Sequence, residues 1–227
     1  MSRTINMNRD MSLCILIPMK SPQQSKQRLA PVLAPQERQS LALNLFHNTL
    51  KFLQQHFSHI SVLVVTPCAD IAKIARQYHA QVVLETAATG LNSAIRCGTQ
   101  GCIEQGFAAQ LLIPADIIDL DVDEFKQLIN RPRAARSVTV CPSRDGGTNA
   151  LLSSPPDIID FQFGANSSRR HLESARQLQL EWRELKLDKL ALDLDTAADL
   201  VLLDDAFVSQ LVQPHLSTGE HMRGMMR

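Results

Sequence analysis

Short, continuously apolar runs alternate along this chain with stretches of helical spacing, and that alternation restricts the fold more than any other feature. Residues 13–17, 60–66, 81–84 and 111–113 are rich in Leu, Ile and Val and too short for helices. Such runs read as strands buried on both faces of a sheet. Pro18, Pro67 and Pro114 follow three of them, and proline has no N–H with which to extend a ladder. Between them, residues 35–55, 69–78 and 91–105 read as helices; in the first, Leu41, Leu45, Phe46, Leu50 and Leu53 hold helical spacing. Pro35 suits a first turn and Glu37 the positive end of the helix dipole. Crossovers of this length join parallel neighbours, so the expected fold is α/β, a mostly parallel mixed sheet flanked by helices. Further strands are expected at 137–141, 150–152 and 185–187, and further helices at 121–130, 168–178 and 196–204. These make one domain over 12–210, with flexible termini at 1–11 and 217–227.

Composition removes several classes of function. Lys plus Arg and Asp plus Glu both number 23, and a nucleic-acid binder usually carries a basic excess. No apolar run approaches a membrane span. Arg3 and Arg9 precede no apolar h-region, so the expected location is the cytoplasm. Five scattered cysteines without a Cys-x-x-Cys pair suit reduced thiols better than disulfides or zinc. A homodimer is compatible with the sequence, which contains no sign of one.

Five polar constellations carry the chemistry. The loop after the first strand holds Lys20, Lys26 and Arg28. At the carboxyl end of a parallel strand these cations would meet a triphosphate, with Arg as a fork and Lys as a point charge; a solvated loop is the alternative. Neither a P-loop nor a Gly-x-Gly-x-x-Gly is present. Asp116 lies two residues past Pro114, where a carboxylate would serve as an Mg²⁺ ligand or as a turn or helix cap. Asp193 and Asp195 would point to one side of an extended segment, roughly 7 Å apart, as co-ligands; otherwise Asp195 begins the turn into the Thr196 helix. Arg144-Asp145-Gly146-Gly147-Thr148-Asn149 brings two glycines that allow close approach of a ligand, or forms a hairpin turn. Gly164, Ser167 and Ser168 precede a helix, an anion site to which Arg169 or Arg170 would add charge, or an ordinary Ser N-cap. Asn92 would read a base or ribose edge, or cap its helix. No Ser/His/Asp set or catalytic cysteine context is visible, which disfavours a side-chain nucleophile.

Taken together, Ile17-Pro18-Met19-Lys20 with Lys26-x-Arg28-Leu29-Ala30, Pro114-Ala115-Asp116, Arg144 to Leu151, Phe163-Gly164 and Leu192-Asp193-Leu194-Asp195-Thr196 resemble the CofC-type guanylyltransferases of coenzyme F420 biosynthesis. The resemblance runs from about Cys14 to Asp205 and implies a single GT-A-like, Rossmann-related nucleotidyltransferase domain. It implies GTP, Mg²⁺ and a phosphorylated three-carbon acid: 3-phospho-D-glycerate, phosphoenolpyruvate or 2-phospho-L-lactate. By motif, Asp116, Asp193 and Asp195 would hold Mg²⁺, with Asp116 also catalytic. Thr148, Gly164 and Ser167 would bind the acid. Lys20, Lys26 and Arg28, with Asn92, would meet GTP, and the three cations would share the catalytic role with Asp116. Two stretches depart from the family: Ile117-Ile118 stands where Leu-Pro is frequent, and Ala165-Asn166-Ser167-Ser168 where Pro-Gly-Ser-Phe is frequent. A sugar-phosphate or molybdopterin nucleotidyltransferase and a non-catalytic nucleotide-binding module are the alternatives.

Overall fold

The apolar runs become strands at Leu13–Pro18 (β1), Ser61–Thr66 (β2), Gln81–Leu84 (β3) and Ala109–Leu112 (β4), followed by Ser137–Pro142 (β5), Thr148–Ser154 (β6) and Glu181–Glu184 (β7). The helices are Pro35–His56 (α1), Ala69–Gln77 (α2), Leu91–Glu104 (α3), Val122–Ile129 (α4), Ser167–Gln177 (α5), Ala197–Val201 (α6) and Asp205–Val212 (α7). The structure, a computed structural model, describes residues 12–86, 90–130 and 134–214; the expectations for 1–11 and 217–227 lie outside them.

The strands form a mixed sheet in the order β3-β2-β1-β4-β6-β5-β7. β1 pairs in parallel with β2 and β4, β2 with β3, and β5 with β7. Only β6 runs against its neighbours, β4 and β5. Its amino end, Thr148, therefore lies on the edge where the other strands end. From β1 the chain builds outward to β2 and β3 on one side, and on the other side to β4. That reversal opens a crevice beyond the carboxyl ends of β1 and β4, the usual ligand position in open α/β sheets.

Side-chain alternation divides the core into two layers. Ile15, Ile17, Val64, Leu111 and Ile113 pack with Phe46, Leu50, Ile71 and Phe125 on the side of α1, α2 and α4. Cys14, Leu16, Leu63, Val65 and Leu112 pack with Ala94, Ile95, Leu172 and Ala175 on the side of α3 and α5. Helix α3 lies close to the sheet: a Cβ at Gly98 would meet Leu16 Cδ1 at 2.5 Å and Val65 Cγ1 at 3.2 Å. Gly98→Val is therefore expected to lower the unfolding free energy by about 2 kcal/mol, measured by urea denaturation; an unchanged midpoint would show that the layer can yield.

Four boundaries differ from expectation by two residues or more. The fourth strand is Ala109–Leu112, not 111–113. The last strand is Glu181–Glu184, not 185–187. The polar segment pairs along β5, whereas Leu187 drops into the core. The sixth strand begins at Thr148, ahead of its apolar stretch. The helix expected over 196–204 ends at Val201, and a further helix, α7, follows it at Asp205, where Asp204 accepts hydrogen bonds from the N–H groups of Ala206 and Phe207. Among the described residues no helix is long and apolar enough to cross a membrane.

Candidate active site

The loop after β1 folds into two short 3-10 turns, Pro22–Gln24 and Gln27–Leu29. Lys26 sits between them at φ 54°, a left-handed conformation uncommon for a residue with a side chain. Leu29 packs with Leu41, Leu45, Leu194 and Leu211 in a third apolar cluster. Leu194 separates Asp193 from Asp195, so burying it turns the two carboxylates the other way. The segment is extended, with Asp193 bridged antiparallel to Ile117 and the Ile118 N–H bonded to Leu192 O. One leucine cluster thus draws together the basic loop and the acidic segment, while the Ile117 bridge brings in Asp116.

They meet at Lys26. Its Nζ lies 2.6 Å from Asp116 Oδ2 and 2.9 Å from Asp195 Oδ1, and the lysine is 7 % exposed. Burial alone would pull the ammonium pKa down. The charges of Asp116 and Asp195, and the hydrogen bonds to them, outweigh it and leave the pKa above its ordinary value. Neither carboxylate acts as a helix cap. Asp121 caps α4, and Asp199 takes the Thr196 N–H, Thr196 hydroxyl and Asp195 N–H bonds at the start of α6.

Asp195 also lines a cavity of about 330 Å³, together with Arg28, Arg144, Asp145, Asp193 and Thr196. This is at the small end for ligand sites. Burial, then the nearby charges of Asp116 and Asp195, with a smaller contribution from Asp145, raises the Asp193 carboxyl to about 6. Asp145 is shifted the other way by the Ser143 hydroxyl, the Gly147 N–H and the Arg28 charge. A second cavity, about 240 Å³, lies against Phe57, Tyr78 and His79 at the amino ends of β2 and β3 and is lined by no Asp, Glu, Lys or Arg.

Among the described residues, no group of three or more carboxylate, imidazole or thiol side chains is arranged to hold a metal by itself. The donor chemistry nevertheless suits a hard cation. Asp116 and Asp195 each keep a second oxygen beside the one bonded to Lys26, and Asp193 lies close enough to feel both. Mg²⁺ is usually held by one or two carboxylates with the remaining ligands from water and substrate phosphates, which is what this set could supply.

The glycine-rich loop reaches the same edge from β5. Asp145 Oδ1 accepts from the Ser143 hydroxyl at 2.5 Å and the Gly147 N–H at 3.0 Å. Gly146, at φ 84°, offers its carbonyl to the Ser168 hydroxyl at 2.9 Å. Thr148 Oγ1 lies 2.9 Å from Ser167 Oγ and 3.1 Å from His171 Nδ1. Ser167 is fully buried and Thr148 7 % exposed, so the Ser167 hydroxyl faces the protein. The residue capping α5 is Asn166, at φ 53°, and not a serine. The Ser167 and Ser168 N–H groups bond to Gly164 O and Gly146 O, so the expected open anion site at this helix start is partly filled by carbonyls. Gly164, at φ 128°, is exposed. Lys20 is exposed just past β1. Asn92 pairs with the backbone of Phe163 in both directions, at 2.8 and 3.2 Å, and ties α3 to the Phe163-Gly164 turn. One N–H and one lone pair of its amide are thereby taken by the protein.

The sequence reading of the site gave His171 no role and named Arg144 and Asp145 only as part of the glycine-rich loop. His171 had a signal: it lies four residues after Ser167, on the same face of a helix.

A sheet with this order, carrying cations and carboxylates at its β1/β4 switch point, is the framework of a nucleotidyltransferase. A nucleotidyl transferase from Methanothermobacter thermautotroptrophicus shares the fold, with a TM-score of 0.63 over 88% of this chain and 99% of that one, at 11% identity. The chain belongs to the family described as Guanylyl transferase CofC like, which matches residues 13–204. It is 45% identical over 189 residues to the 3-phospho-D-glycerate guanylyltransferase of Colwellia psychrerythraea, covering 83% of this chain and 90% of that one. It is 35% identical over 191 residues to the phosphoenolpyruvate guanylyltransferase of Sphaerobacter thermophilus, covering 84% and 91%.

Proposed function

We propose that this guanylyltransferase moves GMP from GTP to the phosphate of a three-carbon phospho-acid, with release of diphosphate, on the route to the deazaflavin coenzyme. The preferred acceptor is 3-phospho-D-glycerate, then phosphoenolpyruvate, then 2-phospho-L-lactate. The order rests on the 45% identity to a relative named for 3-phospho-D-glycerate. The reaction is placed in the cytoplasm, in keeping with free cysteines at all five positions.

The observation that carries the reading is the bridging of Asp116 and Asp195 by Lys26. An acceptor phosphate is already anionic at neutral pH, so attack on the α-phosphorus needs no general base. What remains for the protein is alignment and neutralisation of charge. Lys26 fixes the spacing of the two carboxylates, and Arg28 and Lys20 present cations toward the triphosphate. Asp116 and Asp195, with Asp193, would hold Mg²⁺, which when bound neutralises phosphate oxygens.

The test is diphosphate release from GTP with each acceptor in turn. Turnover is expected to be fastest with 3-phospho-D-glycerate; release with no acceptor, or equal use of CTP, would refute the reading. Asp116→Asn is expected to reduce kcat/KM about a hundredfold and to raise the Mg²⁺ concentration needed for half-maximal rate. Full Mg²⁺-dependent activity in that variant would remove Asp116 from the metal set.

A further inference from the structure

Behind the Thr148 and Ser167 hydroxyls lies a buried imidazole to which the chemistry above gives no part. His171 is fully buried, on the inner face of α5 beside Phe163, the ring centroids 4.9 Å apart. Its Nε2 lies 3.0 Å from the Gln162 backbone nitrogen, which can only donate. Nε2 must therefore be the accepting nitrogen, and the ring proton must sit on Nδ1. That proton points at Thr148 Oγ1, 3.1 Å away.

Counting hydrogens then fixes what the pair can offer. Thr148 Oγ1 accepts from His171. The 2.9 Å contact between Thr148 and Ser167 uses one of their two hydroxyl hydrogens. The other is left to donate. Thr148 is the less buried of the two and sits at the ligand edge of the sheet. With Ser167 as the inner donor, Thr148 receives from both neighbours and its own O–H faces outward. A hydroxyl that accepts two hydrogen bonds is a better donor to an anion, because the bonds polarise one another.

We propose that His171 is a positioning residue for the acceptor: through its Nδ1–H it holds the Thr148 hydroxyl as a hydrogen-bond donor to the phospho-acid. This rests on the reading of Thr148 as part of the acceptor site. The imidazole touches neither substrate nor metal in this role, so its removal should alter the acceptor and leave GTP alone.

Two substitutions divide the ring. An asparagine amide can take the place of Nδ1 and keep the donor to Thr148. A glutamine amide reaches the Nε2 position and keeps the Gln162 contact, but loses that donor. His171→Gln is expected to raise the KM for 3-phospho-D-glycerate about tenfold with the KM for GTP within about twofold, whereas His171→Asn stays within about threefold for both. On a Thr148→Val background, which itself should raise the acceptor KM about tenfold, adding His171→Gln should have no further effect. Equal acceptor KM values for the two His171 variants, or additive effects in the double variant, would overturn the assignment. If Thr148→Val leaves the acceptor KM unchanged, the acceptor-site reading itself fails; if Thr148→Val acts and His171→Gln does not, only the role of His171 fails. The wild-type protein supplies a check independent of variant folding. In ¹⁵N spectra of labelled histidine, His171 should show the Nδ1–H form. Its resonances should move on adding 3-phospho-D-glycerate and stay in place on adding GTP; no movement with the acid would equally overturn it.

Discussion

Replacing Lys26 by methionine is expected to reduce kcat/KM about a thousandfold, comparable to removing one preorganised charge-stabilising donor from an active site. Methionine keeps the length and apolar stem of lysine and removes only the ammonium. In the native site that ammonium contacts Asp116 and Asp195 at once, at 2.6 and 2.9 Å. Without it, the two carboxylates repel, and one must take up a proton or turn away, so their shared geometry is lost. Breaking a fully buried pair costs about 3–5 kcal/mol. Here the acidic side chains are 28 and 43 % exposed, and water would absorb much of the penalty, leaving about 1–2 kcal/mol. Activity should thus fall much further than stability. Lys26→Arg should recover only part of the rate, since a planar fork does not replace a point charge held between two carboxylates. Steady-state kinetics beside urea denaturation separate the two effects, and a Lys26→Met rate within tenfold of the parent would mean the bridge is structural only.

The same residue shows where a sequence stops being informative. The strands β1, β2 and β4 were legible because a strand covered on both faces is apolar along most of its length; β3, half-exposed at the sheet edge, and β5 were legible from their β-branched residues. β7 was not, because Glu-Trp-Arg-Glu lies at the sheet edge with most of its side chains in water and has no reason to be apolar. The direction of β6 depends on pairing partners distant in sequence, so neither it nor the arrival of Thr148 at the ligand edge could be read locally. Asp116 and Asp195 stood out as candidate carboxylates by position and motif. Their partner was not: Lys26 is 90 residues from one and 169 from the other, and a lysine in a polar loop reads as a phosphate contact. What joins them is the burial of Leu29 with Leu194, visible only once the chain has folded. Asn92 carried an ambiguous signal for a related reason. An amide at a helix start can serve a ligand, its own helix or another loop, and here the backbone of Phe163 takes one N–H and one lone pair.

Acid should reverse the order of stability between the parent and His171→Asn. At pH 7.5 the parent is expected to be more stable by about 2 kcal/mol, through its packed ring and the Gln162 N–H bond to Nε2, neither of which the asparagine keeps. Burial, reinforced by the Arg170 charge, lowers the folded pKa of His171 from 6.5 to about 4. The sign follows from proton counting. Above pH 6.5 neither state binds the proton, and the folded state keeps its full advantage. Between 6.5 and 4 the unfolded chain binds it and the folded chain does not, so stability falls as pH falls and levels off below about 4. A gap of about 2.5 pH units corresponds to about 3 kcal/mol. Asp193 acts in the opposite direction. Its carboxyl is raised from 3.8 to about 6, so the folded state binds that proton first and gains stability as pH falls through the same range. In the parent alone the two trends offset each other and the acid limb could look flat. Both proteins contain Asp193, and its contribution cancels in the comparison. His171→Asn lacks the histidine loss, so by pH 4 it should exceed the parent by about 1 kcal/mol. Urea unfolding in EDTA at pH 7.5 and pH 4 measures both gaps, and a difference between the two proteins that stays the same at both pH values would show that His171 is not held neutral by the fold.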